Sequence, residues 1–131
     1  MAKTILVVDD EKDILTELEF ILRKKGFEVV TAVNGKEALE LVKKNKPDLI
    51  ILDLFMPIVG GVQFGKELKA SDETKNIPVI LLTASADNVE EKRIECMADA
   101  YVVKPYDYRE VLEKIYKFLS NETTDFRAKG E

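Results

Sequence analysis

The sequence predicts an α/β domain built on one five-stranded parallel sheet, doubly wound, with helices on both faces. Three observations carry this. Short apolar runs alternate with amphipathic helical stretches along the 131 residues. Such alternation is the pattern of a parallel sheet with right-handed crossovers. The run Leu49-Ile50-Ile51-Leu52, framed by Asp48 and Asp53 between Pro47 and Pro57, is continuously apolar. A strand buried on both faces reads this way. Finally, Asp9, Asp10, Asp53, Thr83 and Lys104 all stand where apolar runs end. In open α/β sheets the C-terminal strand edge is where ligands bind.

The elements follow in order. Thr4-Ile5-Leu6-Val7-Val8 is β-branched and apolar and forms the first strand. Ile14, Leu15, Leu18, Ile21 and Leu22 recur at helical spacing, with Arg23, Lys24 and Lys25 in the last turn and Gly26 as the stop. Residues 27–32 form the second strand, and Asn34-Gly35 signals a turn. Ala38, Leu39, Leu41 and Val42 give the apolar face of the second helix, closed by Asn45-Lys46-Pro47.

The third strand ends at Asp53, followed by a loop with Gly60 and Gly61. Val62, Phe64 and Leu68 mark the third helix, with Gly65 on or beside that face, and Ser71-Asp72-Glu73-Thr74 reads as a polar loop. Residues 77–83 form the fourth strand, with Pro78 near its start, where a strand tolerates one. A fourth helix is expected over about 87–97. Tyr101-Val102-Val103 is a short fifth strand, and Val111, Leu112, Ile115, Phe118 and Leu119 mark a fifth helix. Residues 121–131 are polar and expected to fray. One domain over 1–120 with a polar tail over 121–131 is the expected organisation, with no repeat; with no effector domain after the fifth helix, the chain either stands alone or is a piece of a longer one.

Composition excludes several functions. The net charge of -5 argues against direct nucleic-acid binding. No apolar run approaches the roughly 20 residues that span a bilayer. The N-terminus passes straight into a strand, so no signal peptide is expected. Cys96 is the single cysteine, which rules out an internal disulfide and fits a cytoplasmic location. The chain has no histidine. That removes His acid–base chemistry, His metal ligands and an internal phosphohistidine.

If the first and third strands are neighbours, the carboxylates of Asp9, Asp10 and Asp53 converge. Like charges so close raise one another's pKa unless something neutralises them. Mg²⁺ prefers a few carboxylates with water and phosphate oxygens. A hydroxyl from Thr83 and an ammonium from Lys104 are what a bound phosphoryl group needs. The residues therefore point to an aspartate that accepts a phosphoryl group with Mg²⁺ help. Singly, each has an ordinary explanation. Asp10 suits a helix N-cap, Thr83 a strand or turn residue, and Lys104 a solvated surface charge. Jointly, at one edge of one sheet, they do not.

Val8-Asp9-Asp10, Asp53-Leu54-Phe55-Met56-Pro57 with Gly61, Thr83-Ala84, and Tyr101-Val102-Val103-Lys104-Pro105 resemble the receiver domain of bacterial two-component response regulators of the chemotaxis-regulator type. The likeness spans about residues 4 to 120. It implies the flavodoxin-like strand order 2-1-3-4-5. It also implies that Asp53 accepts the phosphoryl group and that Asp10 and Asp53 hold Mg²⁺. Asp9 would orient the site through water, and Phe55 would lend its backbone carbonyl. Lys104 and Thr83 would contact phosphoryl oxygens, and Thr83 and Tyr101 would form a switch pair. Pro57, Gly61 and Ala84 would shape the loops, and Pro105 would be the family's cis-proline, holding Lys104 inward. The implied partners are a sensor histidine kinase or histidine phosphotransfer protein and a downstream protein target.

Two positions depart from the family pattern. Met97 stands where many receivers have glycine, so the fourth helix is expected to close without the easy left-handed residue. Ala100 stands where one dimerising subfamily has an acid, although Glu110 and Lys114 match part of its charge set. A phosphorylation-dependent dimer on that face would lack one charge. Other readings fit less well. A haloacid dehalogenase-type phosphatase would have its nucleophile after the first strand, in an Asp-x-Asp motif. A Rossmann domain would need a glycine-rich loop there. A receiver fold used only for binding would not need the acid, threonine and lysine set.

Overall fold

A computed structural model describes residues 2–54 and 59–120 of the chain. Phe55, Pro57 and the expected tail over 121–131 lie outside the described residues. The elements run β1 (Thr4–Val8), α1 (Lys12–Lys24), β2 (Glu28–Ala32), α2 (Gly35–Lys44), β3 (Leu49–Asp53), α3 (Gly61–Ala70), β4 (Val79–Thr83), α4 (Val89–Glu95), β5 (Ala100–Val103) and α5 (Tyr108–Ser120). The strands form one sheet in the order β2-β1-β3-β4-β5, all pairs parallel. This is the flavodoxin-like arrangement.

Every residue of β3 and β4 is buried. The reason is layering. Leu6, Ile50, Leu52 and Leu81 face a core shared with Val42 of α2 and Phe64 and Leu68 of α3. Ile5, Val7, Ile51, Ile80 and Val102 face the other core, with Leu15 and Leu18 of α1 and Val111 and Ile115 of α5. A strand between two such layers has no polar face to show, hence the unbroken aliphatic run.

Helix ends carry specific chemistry. Gly26 has φ of 97° and closes α1, with its N–H on the Arg23 carbonyl and the Phe27 N–H on that of Leu22. This double bond is the Schellman arrangement, which favours glycine at its left-handed position. The expected turn at Asn34-Gly35 is instead a helix start. The Asn34 side chain accepts the Glu37 N–H at 2.8 Å, and the Glu37 carboxylate accepts the Val33 N–H at 2.8 Å. Asparagine suits both roles because its short side chain bonds nearby backbone.

One expectation at α4 is corrected. The helix is shorter than 87–97. Asn88 sits at φ 53°, outside helical geometry, and the chain leaves the helix after Glu95. The end closes without glycine, as expected, and Met97 itself takes the left-handed position, at φ 57°. Its N–H bonds the Ile94 carbonyl, and the Ala98 N–H bonds that of Arg93. The same Schellman geometry as in α1 thus forms without glycine, at a backbone cost of about 1 kcal/mol.

Candidate functional site

The register builds the site. Val8 pairs with Leu52, so Asp9 leaves β1 beside Asp53 at the end of β3. Asp53 pairs with Leu82 and Thr83 with Val103, so Thr83 closes β4 and Lys104 leaves β5 at the same edge. Carboxylate oxygens of Asp9, Asp10 and Asp53 lie within 4.8 Å of one another. Asp9 and Asp53 are buried, and Asp10 is exposed. The Lys104 ammonium reaches Asp9 Oδ2 at 3.3 Å, Asp53 Oδ1 at 3.5 Å and Glu11 Oε1 at 3.6 Å.

One ammonium does not neutralise this set. Burial pushes the Asp53 carboxyl up to about 6, the neighbouring Asp9 pushes the same way, and Lys104 opposes both. Burial also raises Asp9, against the Glu11 N–H it accepts at 2.9 Å and against Lys104. For Lys104 burial works against the charge, but Asp53 and Asp9 outweigh it and its pKa is raised. Clustered carboxylates held at a water-accessible edge with excess negative charge are a donor set for a hard, oxygen-seeking cation. The residues fit such an ion.

Thr83 is buried, and its hydroxyl is engaged locally. It donates to the Ser85 carbonyl at 3.3 Å and accepts the Ser85 N–H at 3.4 Å. Tyr101 is half-buried and packs on the core beneath α2 and α3. Side chains alternate along strands, so Thr83 shares the sheet face of Leu81, across from Tyr101 in register. Gly61 donates its N–H to the Leu54 carbonyl at 3.2 Å, and a Cβ on it would lie 2.9 Å from that oxygen. Only glycine lets α3 start this near the acid-bearing loop. Ala84 is exposed, and the Lys104–Pro105 peptide is cis.

Glu11, Ser85 and Tyr106 also belong to the site, though nothing in the sequence motifs singled them out. Tyr106 follows Pro105, meets Tyr108 edge to face at 6.2 Å, and has its phenol pKa raised by burial and by Asp9. Position beside Asp10, Ala84 and Pro105 was the signal available for all three. The hollow lined by Leu39, Val42, Lys43, Glu67, Leu68 and Thr74, between α2 and α3, contains none of these site residues.

Residues 5–116 match the response regulator receiver domain. The chain belongs to that family. Receiver domains are phospho-accepting signalling domains of two-component systems, where they work with histidine kinases. The chain is 38% identical over 120 residues to the alkaline phosphatase synthesis transcriptional regulatory protein PhoP of Bacillus subtilis, covering 91% of this chain and 49% of that protein. It thus spans about half the length of that relative. Among solved structures it resembles the receiver domain of a signal transduction histidine kinase from Syntrophus aciditrophicus, with a TM-score of 0.85, 33% identity and 92% of each chain covered. It also resembles the Thermotoga maritima response regulator TrrA in complex with Mg²⁺-BeF, with a TM-score of 0.79, 38% identity, and 88% and 98% of the two chains covered.

Proposed function

We propose that this receiver domain accepts a phosphoryl group on Asp53 from the phosphohistidine of a sensor histidine kinase or histidine phosphotransfer protein, and so switches a downstream protein target. The observation that carries the reading is the placement of Asp53 within 4.8 Å of the other two acids and 3.5 Å from the Lys104 ammonium. Asp9, Asp10 and Asp53 would hold Mg²⁺, the ion in the TrrA complex. When bound, the ion supplies charge neutralisation for phosphoryl oxygens.

The chain's own residues do the rest. Asp53 is mostly ionised at pH 7, because its carboxyl is pushed only to about 6. Its carboxylate oxygen attacks phosphorus, a new O–P bond forms, and the donor's N–P bond breaks. The imidazole departs with the electron pair. Lys104 pairs with charge on the transferred group, and Thr83 gives up its Ser85 partners to donate to it. Water attack on the acyl phosphate in the same cradle reverses the signal, so the domain promotes both its phosphorylation and its dephosphorylation.

Thr83 moving inward frees space that Tyr101 takes, and the face of α4, β5 and α5 changes with it. Glu90, Arg93, Asp99, Tyr101, Glu110 and Lys114 line one hollow on that face. A target or a second, phosphorylated copy binds there. One charge biases two states a few kcal/mol apart. The setting is cytoplasmic. Among the described residues no helix is long and apolar enough to cross a membrane.

The test is transfer in trans. Incubation with a phosphorylated histidine kinase domain should label this chain on Asp53, and ATP alone should not. Labelling from ATP without a histidine donor overturns the reading.

A further inference from the structure

Helix α4 buries none of its side chains. Helices in proteins draw most of their stability from packing, so something else holds this one. The residue that follows it does. Cys96, the C-cap, is fully buried. Its carbonyl faces Gly65 of α3 so closely that a Cβ there would lie 1.8 Å from the oxygen. Its sulfur lies 3.5 Å from the Cβ position of Gly61, which is bonded to Leu54 beside Asp53. The cap is braced further by the Arg93 guanidinium, which donates to the Ala98 carbonyl at 2.8 Å, and by the Asp99 N–H on Val79 at 2.8 Å. The other end is looser. Asn88 is left-handed with no side-chain cap, and Ala86, Asp87 and Asn88 are exposed.

We propose that Cys96, seated against Gly61 and Gly65, is the pivot of α4, so that the helix turns about its C-terminal end and moves most at Asn88. The trigger, phosphorylation of Asp53, rests on the function proposed above; the pivot itself is a property of the resting fold. It makes Cys96 a positioning residue for the binding face, tied to the acceptor loop through Leu54 rather than through Thr83.

Two measurements on the whole chain test this. The first is amide hydrogen exchange at rest in wild type and Cys96→Ala. Loss of the pivot should speed exchange at Lys92 and Cys96 or its replacement about tenfold more than exchange in β4 and α5. An equal change everywhere would mean that Cys96 only fills the core, and would overturn the pivot. The second uses the native thiol, which burial pushes up to about 11. With a small phosphodonor and Mg²⁺, amide shifts should grow toward Asn88, while Cys96 stays as slow toward a chromogenic disulfide as at rest. A thiol that opens together with those shifts would show α4 leaving as a unit. Absence of phosphate uptake would instead sink the functional reading, and the exchange comparison would still decide the pivot.

Discussion

The Lys104 ammonium stands 3.5 Å from Asp53 Oδ1, although the two residues are 51 positions apart. It is the cation that both buried acids share, since Asp9 Oδ2 lies 3.3 Å from it. Removing one partner of a buried ionic set leaves uncompensated charge behind. Lys104→Met should therefore destabilise the resting domain by about 3 kcal/mol at pH 7. It should also raise the titration of Asp53 above about 6. Urea unfolding and carboxyl-carbon NMR check the two effects. An unshifted Asp53 titration would mean that the ion pair is too solvated to matter.

The sign of the Asp53 shift gives a pH prediction. Its folded pKa is raised from 3.8 to about 6. Below 3.8 both states are protonated and the group costs nothing. Between 3.8 and about 6 the unfolded state is ionised while the folded carboxyl keeps its proton, so stability is lost across that window and levels off above it. Asp53→Asn removes that loss. In metal-free buffer it should be more stable than wild type by about 3 kcal/mol at pH 7, with the gap closing toward pH 4. Thermal melts across this range check it, and a gap independent of pH would contradict it.

Some of this was legible before any coordinates. The aliphatic run before Asp53 marked a central strand because two cores leave it no polar face. The polar strand ends marked one edge because alternation forces a parallel sheet. The meeting of Asp9 and Asp10 with Asp53 was conditional, since only the β1–β3 pairing brings them together and strand order is not written in spacing. How α4 closes without glycine was not legible, because a left-handed backbone usually announces itself as glycine, and Met97 does not. The Ser85 partners of Thr83 were invisible because a hydroxyl's choice of neighbour depends on a local turn.

Met97 offers a stability test of its own. It is exposed and left-handed at the C-terminal cap. Met97→Gly should stabilise the domain by about 1 kcal/mol, as glycine takes this conformation without strain. Chemical denaturation measures it, and a loss of stability would show the side chain has a hidden packing role. Gly65→Ala should act oppositely. Its Cβ would fall 1.8 Å from backbone that has no flexible end to give way. A cost of 1–3 kcal/mol or somewhat more, on the order expected for overpacking, should follow.

Asp10 is the exposed member of the acidic set. A site with few carboxylates and much water should bind Mg²⁺ weakly without phosphate. Asp10→Ala should weaken that binding about tenfold or more. Titration followed by NMR of the amides around Asp9 and Asp53 reads it directly. An unchanged titration would remove Asp10 from the cation site.

The assignment of Asp53 as phosphoacceptor is tested most directly by phosphate incorporation. Wild type and Asp53→Asn are exposed to a small phosphodonor with Mg²⁺ and compared by intact mass and peptide mapping. Wild type should gain a single acid-labile phosphate on the peptide carrying Asp53, and Asp53→Asn should gain none. Equal incorporation by the two proteins, or a phosphate mapping to another residue, would contradict the assignment.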